Sequence, residues 1–375
     1  MRIFLEPHES LLFRTGRPFD AGETEYAETL FPPTPETIQG AVRSLLAAAY
    51  NPGATLPELF HPGSELVKLI GDRESYGRFR ITTTALGRRK QGSKDIELLY
   101  PVPAHLVKDI QGFFRLKPDE GKEISSNMPV GMRYLFPERE LKPDEKPQSV
   151  EGWLSEADLR SVLSADTDLT GIRVVEKEEI FIYEPRIGIG MDNATKSTRE
   201  GLFYSVQMLR MQPGYGFVVD VRLADETSPE GLLPDEQTRK ALNLQTRDQG
   251  WAVLGGEQRA ASYKIIGESA PPPHQATHLG HSTLLYLATP AALKKGWQPE
   301  AWPADLAPIA AAIPRYQSIG GWKLHPGHSG GDNKSMRRCV PAGSVYFFDR
   351  EVPANRPLTD IGWQIGYGIA YTGEY

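Results

Sequence analysis

The sequence predicts an α+β protein built of two ferredoxin-like (RRM-like) domains in tandem, the first of which contains a large insertion. Three observations lead to this fold class. The 375 residues include 36 glycines and 31 prolines, which favours short strands joined by many turns. An opening strand and helix, followed by a strand-rich region over 180–266, give a β-α-β-β-α-β order. The prolines at 271–273 mark a linker, and further strand patterns follow them.

The first predicted domain opens with a strand over 2–13, which is followed by a basic, glycine-containing loop and a helix. Thr34 is a residue type that caps helix N-termini, and Pro35 suits the first helical position. Apolar residues then recur at helical spacing between Ile38 and Leu46. This strand, loop and helix predict the first β-α unit of the domain.

The domain boundaries follow from changes of pattern along the chain. The stretch at about 52–175 has short strand and helix patterns but no repeat, and we interpret it as an insertion in a first domain over 1–267. Within it, Ser155 has capping-box spacing and predicts the start of a short helix. The second domain, over 268–375, contains a predicted strand at 282–288, a helix near 304–313, and strands at 316–324, 344–349 and 363–371.

Composition excludes several classes of protein. The single cysteine, Cys339, allows no internal disulfide and no cysteine-based zinc site, and it fits a reducing compartment. No apolar run reaches the ~18 residues of a membrane span, and Glu6 and Pro7 end the first apolar run too early for a signal peptide. The net charge of −6 argues against a globally basic surface but leaves room for a local basic cleft. We therefore expect a cytoplasmic protein without membrane association, cofactor or metal.

Residues 320–348 are predicted to form a turn-rich, glycine-rich loop that runs into a strand. Glycines such as Gly321 let backbone N–H groups approach a ligand, and successive N–H groups can form an anion site. Trp322 offers a flat face on which a base can stack. Four cations in this segment would neutralise phosphates: Lys323, Lys334, Arg337 and Arg338. A surface loop without a ligand is the alternative that the same composition allows.

Three further loops carry candidate RNA contacts. The cations in them are predicted to meet phosphates, and the glycines are predicted to allow close backbone approach. The paired glycines at 255 and 256 interrupt a strand pattern, which indicates a bulge or a close backbone contact. Solvated surface loops and a packing bulge are the alternatives. The candidates are Arg14, Gly16, Arg17, Lys196, Arg199, Gly255, Gly256 and Arg259.

Enzyme motifs occur only in incomplete form. The segment Gly327–Gly331 matches G-x-S-x-G, but no histidine follows His328, as the order of a hydrolase triad requires. The segment Gly190–Ser197 has Thr195 where a phosphate-binding P-loop needs its second glycine. The spacing of His274, His278 and His281 would align them for zinc on a helix, but three prolines come immediately before them and disfavour that helix. The sequence therefore predicts no catalytic residue and no metal site.

Four segments, in order along the chain, resemble one family of CRISPR-associated proteins. They are LLFRTGRPFDAGE with LFPPTPETIQGAVRSLL near the start, RIGIGMDNATKSTREGLFYS at 186–205, GGEQRAASY at 255–263, and GGWKLHPGHSGGDNKSMRRCVPAGSVYFF at 320–348. On these segments the chain is similar to the third subunit of the Cmr complex, the type III-B RNA-guided effector of the RAMP superfamily. The resemblance says little about 52–175.

The resemblance implies two ferredoxin-like domains and a non-catalytic RNA-binding subunit in antiviral defence. Such a subunit binds the 5′ repeat-derived tag of the guide crRNA. It joins the large polymerase-like subunit to the backbone subunit of the filament, within a hetero-oligomeric complex. The resemblance also favours a phosphate contact for Arg259 over a packing bulge. We therefore expect no enzymatic activity.

Two other functions stay open. One is a metal-independent endoribonuclease of the same superfamily, which would process repeat RNA with His8, His325 or His328 as the general base. The other is a scaffold that touches only protein, for which the basic loops would have no part in RNA binding.

Overall fold

The computed structural model describes most of the chain. The described residues are 1–14, 26–61, 63–72, 74–90, 92–119, 131–142, 146–192, 194–228, 231–268, 283–300, 306–324, 331–352 and 357–375. The predicted linker at 271–273 lies outside them. No helix in these ranges is long and apolar enough to cross a membrane.

Strands dominate the described structure, and the helices are few. The strands up to residue 175 are β1 (Arg2–Pro7), β2 (Tyr26–Ala27), β3 (Phe79–Arg89), β4 (Ile96–Pro101), β5 (Leu106–Asp109), β6 (Gly112–Pro118), β7 (Leu135–Pro137), β8 (Gln148–Ser149), β9 (Trp153–Ser155) and β10 (Val174–Val175). The later strands are β11 (Phe181–Met191), β12 (Thr198–Met211), β13 (Tyr215–Leu223), β14 (Gln249–Leu254), β15 (Arg259–Gly267), β16 (Thr283–Leu287), β17 (Ala310–Ala312), β18 (Gln317–Leu324), β19 (Gly331–Cys339), β20 (Val345–Phe348) and β21 (Ala370–Glu374). The helices are α1 (Pro35–Tyr50), α2 (Leu56–Leu59), α3 (Glu65–Ile70), α4 (Glu156–Val162), α5 (Lys177–Ile180) and α6 (Asp235–Ala241), with a 3-10 turn at Trp363–Ile365. The predicted mixed α/β, strand-rich character is confirmed.

The chain packs into two compact units, each assembled from separated stretches of sequence. Unit 1 comprises Met1–Ile81, Glu178–Ser269 and Ser318–Arg338. Unit 2 comprises Thr82–Lys177, Ala270–Gln317 and Cys339–Tyr375. These units are defined by packing, whereas the predicted domains are two consecutive segments, 1–267 and 268–375. The domain boundary at 267/268 stays a prediction.

Unit 1 is organised around β1, which pairs antiparallel with β13 on one side and with β15 on the other. The hairpin partner of β15 is β14, so the strand order is β13-β1-β15-β14. The apolar face of α1 packs against β14. As predicted, α1 starts at Pro35, and the Thr34 side chain accepts a hydrogen bond of 3.3 Å from the Thr37 amide.

A long hairpin of β11 and β12 forms a second sheet in unit 1, and β2 extends it by pairing parallel to β12. The loop after β1 joins this sheet through a bridge between Leu11 and Leu209, whose backbone hydrogen bonds measure 2.6 and 3.0 Å. The sequence pattern predicts short strands at 180–182 and 187–189 before a polar loop at 191–200, and a strand at 202–209 after it. Instead, β11 runs without a break over Phe181–Met191, and β12 begins already at Thr198.

Unit 2 contains three groups of antiparallel strands. Their orders are β10-β9-β4-β3, β7-β6-β5-β8 and β17-β20-β16-β21. The predicted cap at Ser155 is confirmed, because its Oγ accepts from the Asp158 amide at 3.1 Å at the start of α4. Leu285, Leu287, Tyr346 and Phe348 form the centre of one apolar core, which lies on β16 and β20.

The predicted strands at 282–288, 316–324 and 344–349 are confirmed as β16, β18 and β20. Other predicted elements have a different structure. The part of the predicted helix at 304–313 that is described contains the strand β17, whose Ala310 pairs with Phe347 of β20. The predicted strand at 363–371 begins as a 3-10 turn, and β21 starts only at Ala370. Residues 331–339 of the segment predicted as a glycine-rich loop form β19, which pairs with β18. For β17, pairing with a strand distant in sequence overrides the local preference for a helix.

Candidate nucleic-acid interface

The glycine-rich segment presents its cations on a strand rather than on a loop. Lys334, Arg337 and Arg338 are all exposed and lie on β19. Because side chains alternate along a strand, Lys334 and Arg338 share one face and Arg337 lies on the other. Arg337 Nη1 is 3.6 Å from Glu36 Oε1 in the first turn of α1. A Cβ atom at Gly321 of β18 would lie 3.2 Å from Lys334 Cδ, so the glycine gives the lysine stem room to cross the hairpin.

Some predicted contacts fall outside the described part of the structure. For three of them the backbone belongs to β18 or β12 but the side chain is not described: Trp322, Lys323 and Arg199. Other predicted residues lie wholly outside the described ranges: Gly16, Arg17, His325 and His328.

Gly255 and Gly256 lie in the hairpin turn between β14 and β15, so their interpretation as a strand bulge is wrong. Gly255 has a φ of +76°, the left-handed region that favours glycine. A Cβ atom on Gly255 would lie 3.4 Å from Phe13 Cε1, while a Cβ on Gly256 would meet no atom within 4 Å. The positive φ therefore accounts for glycine at 255, and the predicted RNA contacts of both glycines stay predictions.

The two predicted arginines beside this turn are paired with carboxylates. Arg14 Nη2 is 3.2 Å from Glu257 Oε1, and Arg259 Nη1 is 3.8 Å from Glu9 Oε2. Arg14, Gly255, Gly256 and Arg259 thus form one group around the turn. The pair between Arg14 and Glu257 is exposed, and an exposed ion pair contributes only about 0–1 kcal/mol. Arg259 is more buried, with a side chain that is 29% exposed.

The tip between β11 and β12 is a tight turn organised by Asp192. Its carboxylate accepts from the amides of Ala194 and Thr195 at 2.8 and 3.1 Å. These two hydrogen bonds hold the pKa of Asp192 below its ordinary value, and the one from the Thr195 amide has the larger effect. Lys196 follows with a φ of +56° and an exposed side chain. The predicted hairpin-tip lysine therefore stands on a locally fixed backbone.

The outer half of this hairpin exposes apolar side chains on both faces, which the sequence interpretation missed. Ile187, Ile189 and Phe203 are exposed on one face, where Ile189 pairs with Phe203. On the opposite face the exposed Tyr204 ring lies across Gly188, where an added Cβ would be only 2.2 Å from Tyr204 Cζ. The signal in the sequence was the alternation of large apolar residues with glycines in RIGIGM, followed by Phe203 and Tyr204 on the next strand.

Two arginines of the same hairpin were also missed. Arg210 and Arg186 both contact Glu184, and the second contact measures 3.5 Å. The hydrogen bond from Arg210 is the main reason that the pKa of Glu184 lies below its ordinary value. Arg186 Nη2 also donates to Ser10 Oγ at 2.6 Å, which ties the hairpin to the loop after β1.

His8 was a candidate general base. Its ring packs against Trp251 with centroids 5.3 Å apart, and its Nε2 lies 2.9 Å from Ser262 Oγ. Among the residues that the structure describes, no group of three His, Cys, Asp or Glu side chains could hold a metal ion.

The whole chain matches one protein family. The family model of the CRISPR-associated protein (Cas_Cmr3) covers residues 3–375. The chain therefore belongs to the Cas_Cmr3 family, and its identification as a relative of the third subunit of the type III-B Cmr effector complex is confirmed.

Several solved structures are similar. One is a chain of the type III-B Cmr-beta complex bound to cognate target RNA and AMPPnP, with 16% identity, a TM-score of 0.48, and coverage of 92% of this chain and 86% of that one. Another, from Cmr-beta bound to cognate target RNA, has 16% identity, a TM-score of 0.47 and the same coverage, 92% and 86%. A chain of the Csm3-Csm4 subcomplex of the type III-A interference complex has 11% identity, a TM-score of 0.40, and coverage of 100% and 99%. No curated protein matches the chain in sequence.

Proposed function

We propose that this chain is a non-catalytic subunit of a type III-B Cmr effector complex. In this proposal it binds the 5′ repeat-derived tag of the guide crRNA and joins the large polymerase-like subunit to the backbone filament, in the cytoplasm and in antiviral defence. Family membership over 3–375 supports the assignment to the complex. The observation that carries RNA binding is the strand of exposed cations on β19.

The fold expected for this role is a pair of ferredoxin-like domains. In unit 1, β13, β1 and β15 lie side by side, and the carbonyl of Arg78, just before β3, accepts a hydrogen bond of 2.7 Å from the amide of Ala224, just after β13. Helix α1 lies between β1 and β3 in sequence, and α6 lies between β13 and β15. This β-α-β-β-α-β order supports a ferredoxin-like first domain with the 52–175 insertion. The second such domain, over 268–375, is proposed from the family resemblance.

The surfaces of unit 1 suit a single-stranded RNA. Lys334 and Arg338 provide two cations on one face of β19, where each can neutralise a phosphate. The rings of Phe203 and Tyr204 are exposed on the β11–β12 hairpin and offer flat faces to unstacked bases. Lys196 adds a cation at the hairpin tip. A tag of defined sequence can be held by such contacts without any acid–base chemistry.

The proposal favours binding over cleavage because the family resemblance implies a non-catalytic subunit. The described candidate base, His8, is exposed, with its Nε2 2.9 Å from Ser262 Oγ and its ring against Trp251. A general base must reach the 2′-OH whose proton it takes, so His8→Ala separates binding from cleavage.

Assembly with the partner subunits tests the proposal. The double variant Lys334→Gln/Arg338→Gln should co-purify with the large subunit and the backbone subunit but retain less guide RNA than the wild type. The matched control is Lys240→Gln, which removes an exposed lysine from α6 in the same unit. If the double variant keeps its guide RNA, a protein-only scaffold explains the chain better. If any preparation cleaves repeat RNA and His8→Ala abolishes the cleavage, the chain is an endoribonuclease.

A further inference from the structure

The most exposed tryptophan among the described residues lies on the sheet of unit 1 that contains β1. Trp251 of β14 is 70% exposed. The ring of His8 lies beside it, with centroids 5.3 Å apart and planes inclined by 59°. His8 in turn contacts Ser262 Oγ at 2.9 Å. The indole is therefore supported on one side by a ring that is itself held in place, while most of its surface faces solvent.

Polar groups surround this indole on the neighbouring strand. Trp251 pairs with Ser262, and Gln249 pairs with Lys264, so all four side chains lie on the same face of the β14–β15 hairpin. Gln249 and Lys264 are exposed. Side chains at directly paired and diagonal positions are about 4.5–8 Å apart, which is within the reach of one nucleotide. The exposed Val253 continues the strip along β14.

We propose that this face binds an unpaired base of single-stranded RNA. The indole of Trp251 stacks on the base, and the hydroxyl and amide groups of Ser262 and Gln249 contact its edge. The ammonium group of Lys264 meets a phosphate. The site rests on the proposed RNA-binding function, and it adds a contact separate from the cations of β19.

The composition of the face favours a nucleotide over a protein partner. Its exposed large apolar side chains are Trp251 and Val253 among the described residues, whereas a stable protein interface needs about 800 Å² on each side. The positions around them carry Lys264, Ser262 and the carboxylate of Glu6, which pairs with Ser262 from β1. A carboxylate can accept a hydrogen bond from the amino group of a base, and the lysine charge is complementary to phosphate. One stacked base would cover the indole.

Affinity for a fluorescein-labelled, unstructured RNA tests the site in the full chain. Trp251→Ala should weaken binding about 5- to 150-fold, the range for the loss of one stacked base. Trp251→Phe should keep most of the affinity, because a smaller ring still stacks. The control is Trp363→Ala, which removes another exposed tryptophan, 41% accessible, from the 3-10 turn of unit 2. Thermal unfolding of Trp251→Ala should match the wild type, which shows that the fold is intact.

The salt dependence separates stacking from charge. Trp251→Ala removes no charge, so the slope of log affinity against log salt should not change. Lys264→Gln should make that slope less steep by about 0.7, the value for one phosphate of a single strand. A 4-thiouridine-containing RNA should photo-crosslink to the peptide that contains Trp251.

Three results would overturn the inference that Trp251 stacks on a base. Wild-type affinity in Trp251→Ala, with weakened binding in Lys334→Gln/Arg338→Gln, removes this site and leaves the proposed function standing. Unchanged RNA binding with loss of a partner subunit would make the face a protein-docking surface. A wild-type chain that binds no RNA overturns both proposals.

Discussion

Arg115 of β6 is the position at which we expect one substitution to destabilise unit 2 most. Its side chain is 3% exposed. Its Nε donates to the carbonyl of Val162 at 3.0 Å, and its Nη2 donates to that of Ser161 at 2.7 Å. Nη2 also donates to the carbonyls of Ser164 and Thr167 at 2.8 and 2.9 Å. The guanidinium thus satisfies backbone oxygens at and just beyond the C-terminal end of α4, where a helix leaves carbonyls without partners.

Arg115→Met keeps a long apolar side chain but removes the charge and every side-chain donor. Four carbonyls lose their guanidinium partner, and so does Glu138, whose Oε2 is 3.5 Å from Nη1. A hydrogen bond from a charged group contributes about 1.5–3 kcal/mol. Glu138 keeps a cation, because Lys117 Nζ is 3.8 Å from its Oε2, so the loss comes mainly from the carbonyls. Their contributions overlap, and we expect the free energy of unfolding to fall by about 3–5 kcal/mol.

Urea unfolding followed by circular dichroism measures this loss, and amide hydrogen exchange locates it. Protection should disappear in β6 and α4 of unit 2. The control is Arg160→Met on α4, the helix that Arg115 contacts. The ion pair of Arg160 with Glu156, one turn away, is largely exposed and contributes at most about 0.5 kcal/mol. A loss in Arg115→Met of no more than about 1 kcal/mol, ordinary for a point mutant, would refute the assigned role.

Three further predictions concern a buried histidine of unit 2, the cations of β19 and the exposed ring on the β11–β12 hairpin. Burial lowers the pKa of His105 to about 3, below the value of about 6.5 expected in the unfolded chain. Its contribution to stability is therefore complete above pH 6.5 and falls by about 1.4 kcal/mol per unit as the pH drops toward 3, and urea unfolding of His105→Leu should lack this dependence. Replacing Lys334 and Arg338 by Gln should make the salt slope of RNA binding less steep by about 1.4; an unchanged slope would remove both from the interface. Gly188→Ala should displace the Tyr204 ring and weaken RNA binding about 5-fold or more, while unfolding changes by less than about 1 kcal/mol; equal affinity would show that the ring contacts no base.

Helix starts could be predicted from the sequence because their signals are local. Thr34 and Ser155 both accept a hydrogen bond from the amide three residues later, at 3.3 and 3.1 Å. A hydroxyl residue before an apolar pattern is enough to identify such a cap. The family resemblance rests on equally local segments, and the match over 3–375 confirms it.

Elements that depend on distant pairing could not be predicted in this way. The alanines at 310–312 favour a helix, yet they form β17 because β20 offers an antiparallel partner. The glycine-rich segment reads as a loop, yet β18 and β19 pair with each other. The turn at Gly255 lies where the sequence suggests a bulge, because one continuous apolar pattern covers the two strands of a hairpin. Consequently Lys334, Arg337 and Arg338 alternate on a strand instead of converging in a loop.

The surroundings of the candidate site residues also depend on contacts between parts of the chain that are distant in sequence. The sequence identifies Arg14 and Arg259 as cations, but their pairing with Glu257 and Glu9 depends on the contact between two loops. The exposure of Trp251 depends on which sheet face is covered by other elements. The strand pattern alone does not contain that information.

RNA affinity across a salt series tests the central claim most directly. The sample is this chain with its large partner subunit, and the ligands are matched RNAs with and without a 5′ repeat-derived tag. The account predicts tighter binding of the tagged RNA, with log affinity falling linearly against log salt by about 0.7 for each phosphate neutralised. Equal affinity for the two RNAs would contradict recognition of the tag. Binding that is absent at every salt concentration would contradict RNA binding itself.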